Sequence, residues 1–193
     1  MSNLINNNNN LKNVSWAEGW LSLAKPVASP NFNLRPNSFD ISLLIIHNIS
    51  LPPEQFGNGY IESFFCNQLD HRRHPYFNKI AKLNVSSHFM ITRKGKIIQF
   101  VATEHRAWHA GESSFDERDN CNDFSIGIEL EGADHIPYSH QQYVALGQLT
   151  TILMQKYPKI SIDRIVGHST VAPGRKTDPG PAFDWPRFFT VLK

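Results

Sequence analysis

Leu43-Leu44-Ile45-Ile46 constrains this chain most: four consecutive apolar residues leave no polar position to face water. A short unbroken run of this kind belongs to a strand covered on both faces. The rest of the chain must therefore supply a layer on either side of a sheet. The same run delivers His47 and Asn48 to the end of that strand, where the fold and not a flexible loop fixes the side chains.

The remaining patterns supply those layers. Ser125 to Glu131 alternates, with Ile126, Ile128 and Leu130 pointing one way and Gly127, Glu129 and Glu131 the other. Its two carboxylates thus share a strand face, roughly 7 Å apart at two residues' rise. Tyr60 to Leu69 has helical spacing in Ile61, Phe64, Phe65 and Leu69, and His88 to Val101 reads as two strands turned by Arg93-Lys94-Gly95-Lys96. Ser139 to Tyr157 is the longest predicted helix: Ser139 and Gln142 form a capping-box pattern, Leu146, Leu149 and Leu153 a stripe, and Pro158 the stop. Asp184 caps a final helix carrying Trp185, Phe188, Phe189 and Leu192. Before the first strand, Pro26, Pro30 and Pro36 punctuate a polar stretch that predicts extended coil over the main body, anchored by Trp16, Trp20 and Phe32. Strands mixed with covering helices indicate an α/β or α+β layer fold.

With 193 residues, 40% apolar and no internal repeat or linker, one soluble globular domain is the simplest organisation. A chain of this size hides roughly 70% of its unfolded surface, so neither disulfides nor a structural metal are needed to hold it together. The asparagine run in MSNLINNNNNLKNVSW predicts a disordered tail over residues 1–14, with the domain at 15–193, and it lacks the basic and apolar segments of a secretion signal. No run approaches the roughly 18 apolar residues of a membrane span. The expected location is the cytoplasm. A formal charge of +2 falls short of the basic excess of a nucleic-acid binder. Cys66 and Cys121 match no CxxC spacing and read as free, buried thiols.

Nine histidines are present, and each alone is weak evidence. His47 ends an apolar strand; His168 follows Ile165-Val166 and Gly167; Asp178 lies ten positions on, in a loop fixed by Pro179, Gly180 and Pro181. Taken singly, these are a core imidazole, a buried-segment end and a turn cap. Together, two imidazoles and a carboxylate suffice as protein ligands for a catalytic Zn²⁺, with water in the fourth position. Glu129 and Glu131 are either a solvated face or the lining of a cleft in which one glutamate accepts a proton from water. Lys176 is either a surface charge or, near the same centre, a group that stabilises an oxyanion.

The segments LLIIHNISLPP, FSIGIELEG, RAWHAG and VGHSTVAPGRKTDPGPAFDW, with the opening EGWL, resemble the N-acetylmuramyl-L-alanine amidase family, in particular its cytoplasmic recycling branch. The resemblance runs from about Ala17 to Phe188. It implies a zinc amidase fold of the peptidoglycan-recognition kind, a mixed central β-sheet flanked by helices. It also implies His47, His168 and Asp178 as metal ligands for one catalytic zinc, Glu129 as catalytic base and Lys176 as the oxyanion group. Asn48, Trp108 and His109 sit in matching motifs and are the expected substrate contacts. The implied reaction is hydrolysis of the amide between the lactyl group of N-acetylmuramic acid and L-alanine, with 1,6-anhydro-muramyl peptides as substrates; no nucleic acid, membrane or protein partner is called for. In one respect the chain departs from the family pattern: Asn84 and Asn120 stand near positions where enterobacterial members carry arginine. Arg72, Arg73 or Arg118 would then supply the grip on a peptide carboxylate.

Three other readings are set against this one. A muropeptide-binding module of the same fold loses a ligand, whereas all three candidates are present here. A thiol hydrolase would use Cys66 or Cys121, which lie in no nucleophile motif. A lytic amidase acting on intact wall would require export.

Overall fold

The computed structural model describes residues 14–192. Its centre is a six-stranded mixed sheet made of β1 (Lys25–Pro26), β2 (Leu43–Ile49), β3 (Phe89–Ile91), β4 (Ile97–Gln99), β5 (Ser125–Glu131) and β6 (Ile165–Gly167). The strand order is β6-β2-β5-β3-β4-β1. Strands β6, β2, β5 and β3 run parallel, β3 and β4 form the expected antiparallel hairpin, and β1 joins β4 in parallel at the edge. Among the described residues, five α-helices accompany it: α1 (Tyr60–Phe65), α2 (Phe77–Ile80), α3 (His140–Lys156), α4 (His168–Val171) and α5 (Trp185–Val191). The expected mixed sheet flanked by helices is the fold found.

The covered strand is where the apolar run requires it. Leu43 to Ile46 are fully buried, and alternation divides them between two cores. Leu44 and Ile46, with Ile126, Ile128 and Leu130, face the layer built by α3 and α5. Leu43 and Ile45 face the opposite side, against Ala110, Cys121, Phe124 and Val171. A third cluster, under α1 and α2, joins Ile61, Phe64, Phe65 and Phe77 to Met90 and Phe100.

The long helix starts as its sequence specifies. Ser139 Oγ accepts from the Gln142 N–H while the Gln142 side chain accepts from the Ser139 N–H. Leu146, Leu149 and Leu153 are buried along its inner face, each contributing roughly 1.5–3 kcal/mol. Asp184 caps α5 through the Arg187 N–H. Glu131, left open between a solvated face and a cleft lining, is instead a structural anchor: it accepts from the backbone N–H groups of Gly57 and Arg93, tying the 50s loop to the β3–β4 turn.

The N-terminal segment differs from the expected coil. Trp16–Ala17 and Trp20–Leu21 pair with each other, Phe32–Leu34 pairs with His105–Ala107, and β1 completes the sheet. Gln99 pins the segment by accepting from the Leu21 N–H and donating to the Gly19 carbonyl. Of the expected anchors, Trp16 packs on the main core, whereas Phe32 stays partly exposed and stacks on His105. The expected tail lies outside the described residues except for Val14, which packs on the core. Among the described residues, no helix is long and apolar enough to cross a membrane.

Leu149→Ala, fully buried between α3 and the sheet, is expected to lower stability by about 2–5 kcal/mol. Urea unfolding measures this; an unchanged midpoint would show that the α3 face is not part of the cooperative core.

Candidate active site

Parallel pairing of β2 and β5 sets His47 directly opposite Glu129, on the face away from α3. His168 is the first residue of α4, one step past β6, which pairs with β2 from the other side. Three neighbouring parallel strands thus release their chemistry at their carboxyl ends, the usual position for a ligand crevice in such sheets.

Asp178 arrives from the loop after α4. Its carbonyl accepts from the Ser169 N–H, and the next carbonyl, Pro179, accepts from Asn48 Nδ2 and the Tyr138 hydroxyl. Gly180 makes this closure sterically feasible: its φ is +79°, and a Cβ there would lie 2.3 Å from Asp134 Cα. Only glycine combines that conformation with that approach.

The three candidate ligands converge. His47 Nδ1 and His168 Nδ1 are 2.9 Å apart, and each is 3.0 Å from Asp178 Oδ2. His168 Nε2 lies 2.9 Å from the Ala110 carbonyl, an obligate acceptor, so the ring proton sits on Nε2 and a neutral His168 turns a bare lone pair on Nδ1 toward the centre. Burial pushes His47 down to about 4, against the pull of Asp178. Burial alone would raise Asp178, but the His168 and His47 rings against Oδ2 reverse this and hold it below the usual carboxylate range. A proton can bridge only two of three such donors, whereas a divalent cation satisfies all three. The group therefore fits a metal ion.

Glu129 is buried beside this centre, and its Oε2 finds no hydrogen-bond partner among the described residues. Burial, then the negative charge of Asp178, push its carboxyl well above the ordinary range, with Lys176 opposing. An unpartnered buried carboxyl is costly to keep. Its raised affinity for a proton suits a general base.

A cleft of about 370 Å³ opens over these groups. His47, Asn48, Trp108, His109, Glu129, His168, Lys176 and Asp178 all line it, so these eight reach one place. An apolar wall from Phe64, Phe65, Tyr76, Ile80 and Leu83 completes it. That wall was not legible beforehand, because the residues of α1 read only as core and no pattern announced α2.

Several expected contacts already have protein partners. Asn48 donates both to Asp134 and to the Pro179 carbonyl. Trp108 Nε1 donates to Asn33. Both ring nitrogens of His109 are engaged, Nδ1 with His47 and Nε2 with Ser125. Arg72 and Arg73 pair with Asp70, Arg118 pairs with Asp40 and lies over the Phe124 ring, and none of the three is among the described residues lining the cleft.

Cys121 is buried, but Cys66 is only half-buried, and both thiols are free. Burial raises the pKa of each, the opposite of what an activated nucleophile requires.

This arrangement has known counterparts. The family described as N-acetylmuramoyl-L-alanine amidase matches residues 37–181. The 1,6-anhydro-N-acetylmuramyl-L-alanine amidase AmpD of Haemophilus influenzae is 52% identical over 176 residues, covering 91% of this chain and 96% of that protein. The protein of the same name from Citrobacter freundii is 52% identical over 175 residues, covering 91% and 93%. A crystal structure of a selenomethionine AmpD derivative aligns with a TM-score of 0.90 at 49% identity, covering 93% of this chain and 99% of that one. Matched through most of its length in sequence and in fold, the chain belongs to the N-acetylmuramoyl-L-alanine amidase family.

Proposed function

We propose that this chain is a zinc enzyme of the cytoplasm that cleaves the amide between the lactyl group of 1,6-anhydro-N-acetylmuramic acid and L-alanine in cell-wall turnover products, with residues 15–193 acting as one unit. One observation carries the reading: three electron-pair donors from His47, His168 and Asp178 meet at a point beside Glu129, a buried carboxyl with an unpartnered oxygen. The names of the two relatives specify the same bond.

Two imidazoles and a carboxylate suit Zn²⁺ with a position left open; bound there, the ion would bring the pKa of water toward neutrality and polarise a carbonyl. Glu129 takes the proton of the attacking water as the water oxygen joins the carbonyl carbon. It returns that proton to the alanine nitrogen as the C–N bond breaks, leaving a lactyl carboxylic acid and a free peptide amine, and the acid's remaining proton passes to the amine to give carboxylate and ammonium. Lys176 lines the same cleft and offsets negative charge gathering on the carbonyl oxygen. Trp108 offers its ring to the sugar, and Asn48 borders the scissile bond; His109 has only ring carbons left for a ligand.

The decisive measurement follows zinc content and peptide release from anhydro-muramyl-tripeptide for wild type beside Asp178→Ala. Metal and activity are expected to fall together; a variant with full zinc and full rate would remove Asp178 from the ligand set. Lys176→Met should keep its metal while kcat drops by about 10²–10³-fold. An undiminished kcat would deny it the oxyanion.

Glu129→Gln should likewise keep its metal and lose about 10²–10⁴-fold in turnover. It has a second signature in stability. Because the folded pKa of Glu129 lies above the unfolded value of 4.5, the native state binds the extra proton, and metal-free stability falls as pH rises from 4.5 through the folded pKa. Metal-free Glu129→Gln is therefore expected to be more stable than wild type at neutral pH, with the gap closing toward pH 4.5. Urea unfolding across that range measures the gap, and a gap of constant size would show that Glu129 is not destabilised by its charge.

A further inference from the structure

The two residues His109 and Ala110 supply an outer partner to each histidine of the centre. His109 Nδ1 lies 3.0 Å from His47 Nε2, and the Ala110 carbonyl lies 2.9 Å from His168 Nε2. The dipeptide is clamped from behind, since Asn122 Oδ1 accepts from both of its backbone N–H groups, at 3.1 and 2.8 Å. Asn122 is itself buried.

The His109 ring is held as firmly as its backbone. A Cβ on Gly127 would stand 2.6 Å from both His109 Cγ and Nδ1, so the ring fills the space that any other residue at position 127 would take. The His88 ring packs on its far side, with centroids 5.5 Å apart, while His88 Nδ1 accepts from the Gly127 N–H. Glycine at 127 is a requirement of this contact, since the strand conformation there demands none.

Proton placement follows from these contacts. Two ring nitrogens 3.0 Å apart share one proton. If His47 turns the lone pair of Nδ1 to a cation, its proton is on Nε2 and His109 Nδ1 must accept it. The proton of His109 is then on Nε2, facing Ser125 Oγ at 3.3 Å. All donors point outward, and every lone pair at the centre is free.

We infer that His109 is a positioning residue for the metal centre: seated on Gly127 and clamped by Asn122, it fixes the tautomer and ring orientation of His47. This rests on the proposed metal-dependent reading of the site. It assigns to His109 a role different from the substrate contact expected of its motif.

The test measures zinc dissociation constants by chelator competition, and cobalt(II) absorption spectra, for wild type, His109→Phe, His109→Asn and Gly127→Ala, with KM for anhydro-muramyl-tripeptide alongside. His109→Phe keeps the ring and loses the acceptor, so zinc should bind about 10–100-fold more weakly and the cobalt spectrum should change. His109→Asn places Oδ1 close to where Nδ1 stands and should restore most of the affinity. Gly127→Ala keeps His109 but displaces its ring, and should weaken zinc in the same direction, which keeps the question answerable if His109→Phe does not fold. Unaltered zinc affinity with a raised KM in His109→Phe would overturn the inference and return His109 to the substrate. A wild type that binds no stoichiometric metal would instead remove the centre itself, and with it any role for His109 toward it.

Discussion

Everything at this site depends on the register of two buried parallel strands. Leu43 to Ile46 are enclosed on both faces, and the partner strand places Glu129 opposite His47. A slip of one residue would turn His47 into the α3 core and bring Ile46 to the cleft, exchanging an imidazole and an isoleucine between two environments that each accept only one of them. The burial that makes the strand necessary also holds His47 in place. The position of this candidate ligand is thus a by-product of core packing.

Around that fixed point the molecule accumulates polar groups that a core normally excludes. Asp178, two imidazoles and an unpartnered carboxyl oxygen lie in the first layer, with His109, His88 and Arg35 behind them, the last buried and donating to the carbonyls of Thr103, Asn122, Asp123 and Ser125. Each outer group satisfies its neighbour, while the inner donors face one another and Glu129 Oε2 faces nothing. Buried polar groups are normally paired. Here three donors face one another beside an unpartnered carboxyl oxygen, an arrangement that suits a cation and a proton acceptor.

Glu129 and Glu131 show how two identical side chains on one strand face diverge. Glu131 meets two backbone N–H groups and becomes a tether for the 50s loop. Glu129, two residues earlier, meets none, and its Oε2 is left without a partner among the described residues. Alternation along the strand points both in the same direction. What separates them is which loop happens to close over each, and that depends on segments more than thirty residues away in the chain.

Local patterns by themselves determined the covered strand, the alternating strand, the hairpin and the capped helix, because their spacing and end signals act over a few residues. The likeness of several ordered motifs to a known family supplied the residues of the centre. Only the tertiary structure decided the convergence of His47, His168 and Asp178 across 131 positions, the division of labour between the glutamates, the apolar wall of the cleft and the seat of His109 on Gly127. It also paired Arg118 with Asp40, outside the lining of the cleft. These are contacts between residues distant in sequence, set by register, by close approach at a single glycine and by which polar atoms remain unpaired. No periodicity along the chain encodes them.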